Sequence, residues 1–184
     1  MTRRELMESF RDAEPARVER NGQAYVETEQ RVKSELQRHL NDYRALDQVC
    51  QTGRLIRDDM DNQIRRYHDY VIAGQIVAHY RQKGCRGKQG NVFEHVIPAR
   101  TLRNMYIADR ITVDQVLNAP TCIISPDKND MLRKLGLAKT TPNAWFFWQR
   151  YKDLGIEVET YDGTLVDFDT WDFDKHCEYF GIDL

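Results

Sequence analysis

Asn91-Val-Phe-Glu-His-Val-Ile-Pro98 and Thr121-Cys-Ile-Ile-Ser-Pro-Asp127 decide how this chain folds. The first is a short run of β-branched and aromatic residues that Pro98 stops, which predicts a strand. The second opens with four residues of similar character and so predicts another. Ser125-Pro126-Asp127 then starts a helix, with serine as N-cap, proline in the first turn and an acid at the positive end of the dipole. That helix runs through Asp130-Met-Leu-Arg-Lys-Leu135 and stops at Gly136. Between the strands, Ala99 to Leu117 has helical spacing in two pieces, Leu102 to Tyr106 and Val113 to Leu117. The region reads strand, helical excursion, strand, helix.

Upstream, helical periodicity dominates. Val32, Leu36, Leu40, Tyr43, Leu46 and Val49 recur at steps of three and four, which puts them on one helix face with Glu35 and His39 outside. Gln51-Thr-Gly53 is expected to end that helix, because glycine tolerates the left-handed C′ conformation. A second stripe, Ile56, Met60, Ile64, Tyr67, Val71, Gln75 or Ile76, and Tyr80, predicts a partner helix and hence an antiparallel helical hairpin. Residues 1–22 read as a separate short helix and a loop, since Pro15 and Asn21-Gly22 interrupt the pattern. Lys83-Gly-Cys-Arg-Gly-Lys-Gln-Gly90, with three glycines and three cations, reads as a linker able to bring N–H groups and cations close to phosphate, or as a plain hinge.

Downstream, Thr141-Pro142-Asn143 opens a helix that carries Trp145, Phe146, Phe147, Trp148 and Tyr151 and ends near Gly155. So dense an aromatic run fits a core helix better than a base-stacking surface. Ile156 to Tyr161, Asp162-Gly163 and Leu165-Val166 predict a hairpin turning on Asp-Gly.

The chain has 184 residues, 41% hydrophobic and 30% charged, enough apolar material for a core and too much for global disorder. Apolar runs such as Thr121 to Ile124 are too short to cross a bilayer, and Met1-Thr-Arg-Arg-Glu-Leu6 has no apolar signal core. Cys50, Cys85, Cys122 and Cys177 form no C-x-x-C pair, which argues against a zinc ribbon and for reduced thiols in the cytoplasm. The net charge of −2 hides a division: residues 1–90 hold 17 basic and 14 acidic side chains, residues 91–152 hold 9 and 5, and residues 153–184 hold 1 and 10. A basic body suggests a polyanion-binding surface, and the acidic end either a solvated tail or a segment that imitates a polyanion.

Phe93-Glu-His-Val-Ile-Pro98, Asn118, Cys122-Ile-Ile124 and the helix start from Asp127 to Leu132 resemble the HNH, or ββα-metal, nuclease superfamily. The resemblance implies a metal-dependent DNA endonuclease. His95 would be the general base, Asn118 would orient it through its carbonyl oxygen, and Glu94 with Asn129, or Asp127 in its place, would ligate a divalent cation, Mg²⁺ or Mn²⁺. Arg81, Lys83, Arg86, Lys88, Arg100, Arg103 and Arg110 flank these residues and would contact DNA phosphates, Arg100 and Arg103 from one helix face. A homodimer is the expected assembly, because two copies of a one-site nuclease cut both strands most simply. The sequence departs from the family in its longer spacer between His95 and Asn118, its lack of C-x-x-C knuckles, and a closing position that is not histidine.

The expected class is α+β and mainly helical. A helical region spans 1–82, a ββα-metal-like module 83–140, and an aromatic helix with the acidic segment and a small hairpin 141–184. Each site residue also has a plain structural role open to it. His95 suits a strand histidine in a core, Glu94 an exposed strand position, Asp127 and Asn129 helix capping, and Asn118 a turn. His39, His68, His79 and His176 read as structural or exposed. A second functional reading is a non-enzymatic interaction protein, whose acidic end, interleaved with Phe168, Trp171, Phe173, Tyr179 and Phe180, would mimic nucleic acid.

Overall fold

A computed structural model of the protein describes residues 16–20, 23–27, 29–46, 51–72, 78–87, 89–141, 143, 146–160 and 162–182. Among these, the architecture is α+β and mainly helical, as expected. β1 (Ala16–Arg20) and β2 (Gln23–Glu27) pair antiparallel, with Arg20 opposite Gln23. This corrects the expected helix and loop for residues 16–20. The intervening Asn21-Gly22, read as a break, is also the dipeptide favoured in two-residue hairpins. The rest of the expected N-terminal helix, residues 1–15, lies outside the described residues.

α1 (Glu29–Ala45) buries Val32, Leu36, Leu40 and Tyr43, the expected stripe. His39 is not on the exterior; it is buried, 3.8 Å from the Glu35 carboxylate. α2 (Gln51–Arg66) places Gly53 in its own first turn rather than at the end of α1. Met60 and Ile64 carry the second stripe into the core. The helix does not reach Tyr80. Tyr67–Ile72 is π-helical, and the wider turn changes which side chains face inward, leaving His68 fully buried. α1 and α2 form the expected helical hairpin, joined through residues 47–50, which are not described.

Tyr80 instead begins β3 (Tyr80–Gln82), an inner strand of a mixed sheet with β4 (Val92–His95), β5 (Thr121–Ile124) and β6 (Val158–Thr160). The order is β4-β5-β3-β6. β3 runs parallel to β5 and antiparallel to β6, and β4 is antiparallel to β5 with His95 opposite Thr121. The glycine-rich linker joins β3 to β4, and positive φ at Gly84, Gly87 and Gly90 lets it turn without strain.

α3 (Ala99–Ile107) and α4 (Val113–Leu117) form the two-piece excursion, and α5 (Pro126–Lys134) follows β5. Thr112 and Gln115 close a capping box on α4. Ser125 occupies the N-cap of α5 but does not cap it. Its hydroxyl and its N–H both donate to Gln82 Oε1, tying α5 to β3.

The aromatic helix is shorter than expected. α6 (Gln149–Lys152) spans four residues, and Phe147, Trp148 and Tyr151 around it are buried. Phe146 is exposed, and Trp145 lies outside the described residues. Beyond β6 the chain folds back, with Val166 N–H donating to Val158 O, as the Asp-Gly turn predicted. α7 (Phe173–Phe180) then inserts Phe173, His176, Cys177 and Phe180. One apolar cluster extends from Val32 to Ile182, so all three expected segments share a core. Among the described residues no helix is long and apolar enough to cross a membrane.

His176 closes a buried network. Its Nε2–H donates to Asn118 O at 2.7 Å, which leaves Nδ1 to accept from the Tyr80 hydroxyl at 2.8 Å. The Trp171 indole N–H donates to that hydroxyl. Burial holds His176 and His68 at about 4, below the usual 6.5, so both are neutral in the folded protein. The unfolded chain therefore binds more protons between these values. Stability should be complete above about pH 6.5 and fall toward pH 4, by up to about 3 kcal/mol for each imidazole. Urea midpoints measured across that range should drop with acidification; a flat series would contradict neutral burial.

Candidate functional site

Side chains alternate across β4, so Phe93 and His95 share one face and Glu94 takes the other. Glu94 is buried against α6. Its carboxylate accepts hydrogen bonds from Arg150 Nη2 and from the Tyr151 hydroxyl. Arg150, with no exposed surface, also donates from Nη2 to His95 O and from Nη1 to Leu137 O, each at 2.6 Å. Burial pushes the Glu94 carboxyl up, while Arg150 and Tyr151 pull the other way. Burial alone would weaken Arg150's hold on its proton, but the adjacent Glu94 charge strengthens it. A guanidinium with its carboxylate and carbonyl acceptors in place stays charged here.

The opposite side of β4 borders a cavity of about 430 Å³. His95 and Phe93 line it from the sheet, their rings 5.5 Å apart and edge to face. α2 contributes Asp58, Asp61, Asn62 and Arg65; α3 contributes Arg100, α5 Asn129, and the segment after α5 Lys139. His95 Nε2 is buried and has no hydrogen-bond partner among the described residues. Burial, with His68, Arg65 and Arg150 nearby, keeps the imidazole well below its ordinary pKa and therefore neutral near pH 7.

The His68 ring, delivered by the π-helical turn, lies 5.1 Å from that of His95. Its Nε2 faces the carbonyls of Val116 and Leu117 at 3.1 and 3.0 Å, so this nitrogen carries the proton. His68 reads from sequence as structural or exposed, and its contact with His95 has no counterpart in the linear sequence.

Of the residues singled out from sequence, His95, Arg100 and Asn129 border this cavity. Glu94 also borders it, but both its carboxylate oxygens are engaged by Arg150 and Tyr151. Asn118 does not orient His95. Its carbonyl accepts from His176 and its amide donates to Asp114 O, outside the cavity lining. Asp127 is an exposed first-turn residue of α5, also outside the lining, and its carboxyl sits below the usual value chiefly through Ser125. Among the described residues, no group of three or more His, Cys, Asp or Glu side chains converges as a metal ion requires. The donor set that the resemblance implies for a divalent cation does not assemble, so these residues do not fit one.

The cations also divide. Arg81 is paired with Glu159 at 2.5 Å and Lys83 with Glu157 at 3.3 Å. Arg103 does not share the outer face with Arg100. It is buried in an ion pair with Asp61 at 2.8 Å, while Arg100 is exposed. A step of three residues turns a helix about 60° short of a full turn, enough to cross from solvent to core. Arg86 and Arg110 are exposed, and Lys88 lies outside the described residues.

Arg65 and Lys139 were not singled out. No spacing rule links positions 65, 100 and 139, which meet only through tertiary packing. In the acidic segment, Trp171, Phe173 and Phe180 are core residues, and Phe168 and Tyr179 are partly buried against that core.

Removing one partner of the Glu94–Arg150 pair leaves the other charge buried and unpaired. Glu94→Ala should therefore lower unfolding stability by about 3–5 kcal/mol in urea titration, and Glu94→Gln combined with Arg150→Met by less. Equal losses would show that the pair is not what holds β4. Compared with protein-family models, curated proteins and solved structures, the chain matches none, so its own residues carry the functional reading.

Proposed function

We propose that the protein hydrolyses phosphodiester bonds in DNA, with His95 as the general base. One observation carries this reading: a neutral imidazole in the wall of a concave site that also gathers Asn129, Arg65, Arg100 and Lys139. A neutral imidazole can take a proton from water, whereas a protonated one cannot. Water oxygen bonds to phosphorus as the bond to the leaving 3′ oxygen breaks. The proton from water passes to His95, and the leaving oxygen takes a proton from solvent. Cations aimed at the phosphate oppose the negative charge that grows in the transition state. The Asn129 amide supplies donor and acceptor groups that can orient water or a phosphate oxygen. Arg150 acts through the backbone, fixing the carbonyl of His95 and with it the position of the ring.

The test is nicking of supercoiled plasmid by the full chain, with Mg²⁺, with Mn²⁺ and with chelator, across pH. His95→Ala should lose about 10²- to 10⁴-fold in rate, the usual worth of a general base, with an unchanged circular dichroism spectrum. Because the base form of His95 persists below pH 6.5, activity should hold as pH falls through that value. Intact plasmid under every condition, or equal nicking by His95→Ala, would defeat the reading.

A further inference from the structure

We propose that the substrate phosphate is held by Arg65, Arg100 and Lys139 in place of a divalent cation, so that binding and cleavage proceed in the presence of a chelator. The inference rests on the phosphodiester reading of the same cavity and extends it to the source of the positive charge.

Among the described residues, many of the cations have a carboxylate partner. Lys33 pairs with Asp114, Arg44 with Asp109, Arg81 with Glu159, Arg103 with Asp61, Arg150 with Glu94 and Lys152 with Asp169. Arg65, Arg100 and Lys139 are exposed and have no hydrogen bond or ion pair to any described residue, yet all three border one cavity. They come from α2, α3 and the segment after α5, so the fold, and no single charged run, brings them together.

Three acidic residues border the same space. Glu94 and Asp61 are each bound to a buried arginine, which leaves Asp58 as the one without a bonded cation among the described residues. Three unpaired cations against one unpaired carboxylate give the cavity a positive excess that an anion would neutralise. Arg65 also lies close enough to His95 to oppose its protonation. A phosphate seated among the three cations would therefore sit beside the base and would stabilise the imidazolium formed when water is deprotonated.

Each neutralised phosphate contact adds slightly less than one to the slope of log K against log salt, about 0.9 for duplex and about 0.7 for single strands. The measurement is fluorescence anisotropy of a labelled oligonucleotide, single-stranded and duplex, in EDTA, using full chains that carry His95→Ala to prevent turnover. Arg65→Gln, Arg100→Gln and Lys139→Gln should each weaken binding several-fold at low salt and reduce the salt slope by about one. Arg54→Gln, exposed on α2 and outside the cavity, should change little. Unchanged affinity in all three cavity variants would overturn the proposal.

Plasmid nicking by the wild type in EDTA should match that in Mg²⁺. Nicking that stops in EDTA and returns with Mg²⁺ or Mn²⁺ would also overturn the proposal, while leaving His95 as the base. Absence of nicking under all conditions would instead defeat the hydrolytic reading, and the anisotropy series would still decide the anion site.

Discussion

The Arg150 guanidinium holds the site in place. It joins Glu94 and the carbonyl of its neighbour His95 to the carbonyl of Leu137, which lies far along the chain from both. Among the described residues β4 is an edge strand, paired with β5 alone, so its other edge has no ladder there to fix it. Arg150 supplies that missing constraint at the residue whose side chain enters the cavity. A buried ion pair adds little net stability compared with an apolar pair of similar size. Its value here is geometric, because it specifies where the end of the strand must sit.

The two faces of β4 consequently have separate duties. Glu94 points toward α6, where Tyr151 and Arg150 complete its hydrogen bonding. His95 points toward α2, where a π-helical turn brings His68 against it. Crowding by His68, the cations and the apolar surroundings keeps the His95 ring unprotonated. Nε2 has no hydrogen-bond partner among the described residues, a local cost that the rest of the core offsets.

The strand–helix–strand–helix order could be read from sequence because its signals are local: Pro98, Ser125-Pro126, Gly136 and the 3.6-residue stripes. The short strand at Tyr80 could not, since Tyr80 continues the spacing of Ile64 and Tyr67 and so resembles one more helical turn. The π-helical turn has no periodicity signal of its own. At the site, His95, Asn129 and Arg100 were recognisable from residue type beside a strand end and a helix start. The partner of Asn118 was not, because α7 delivers His176 from 58 positions away. Nor could residue type separate Arg100 from Arg103, whose difference is a rotation about α3.

The place of β3 inside the sheet sets a schedule for biosynthesis. Its neighbours are β5 and, through Tyr80 opposite Thr160, β6. At about 5–20 residues per second, a ribosome needs roughly 4–16 s to travel from one member of that last pair to the other. Throughout that interval the nascent chain carries β3 without one of its two flanking strands. Arg150 and Tyr151 emerge near the end of the same interval, so the wall that fixes His95 is finished late. A translation product halted before α6 would contain the histidine and the three cavity cations without the clamp that positions them.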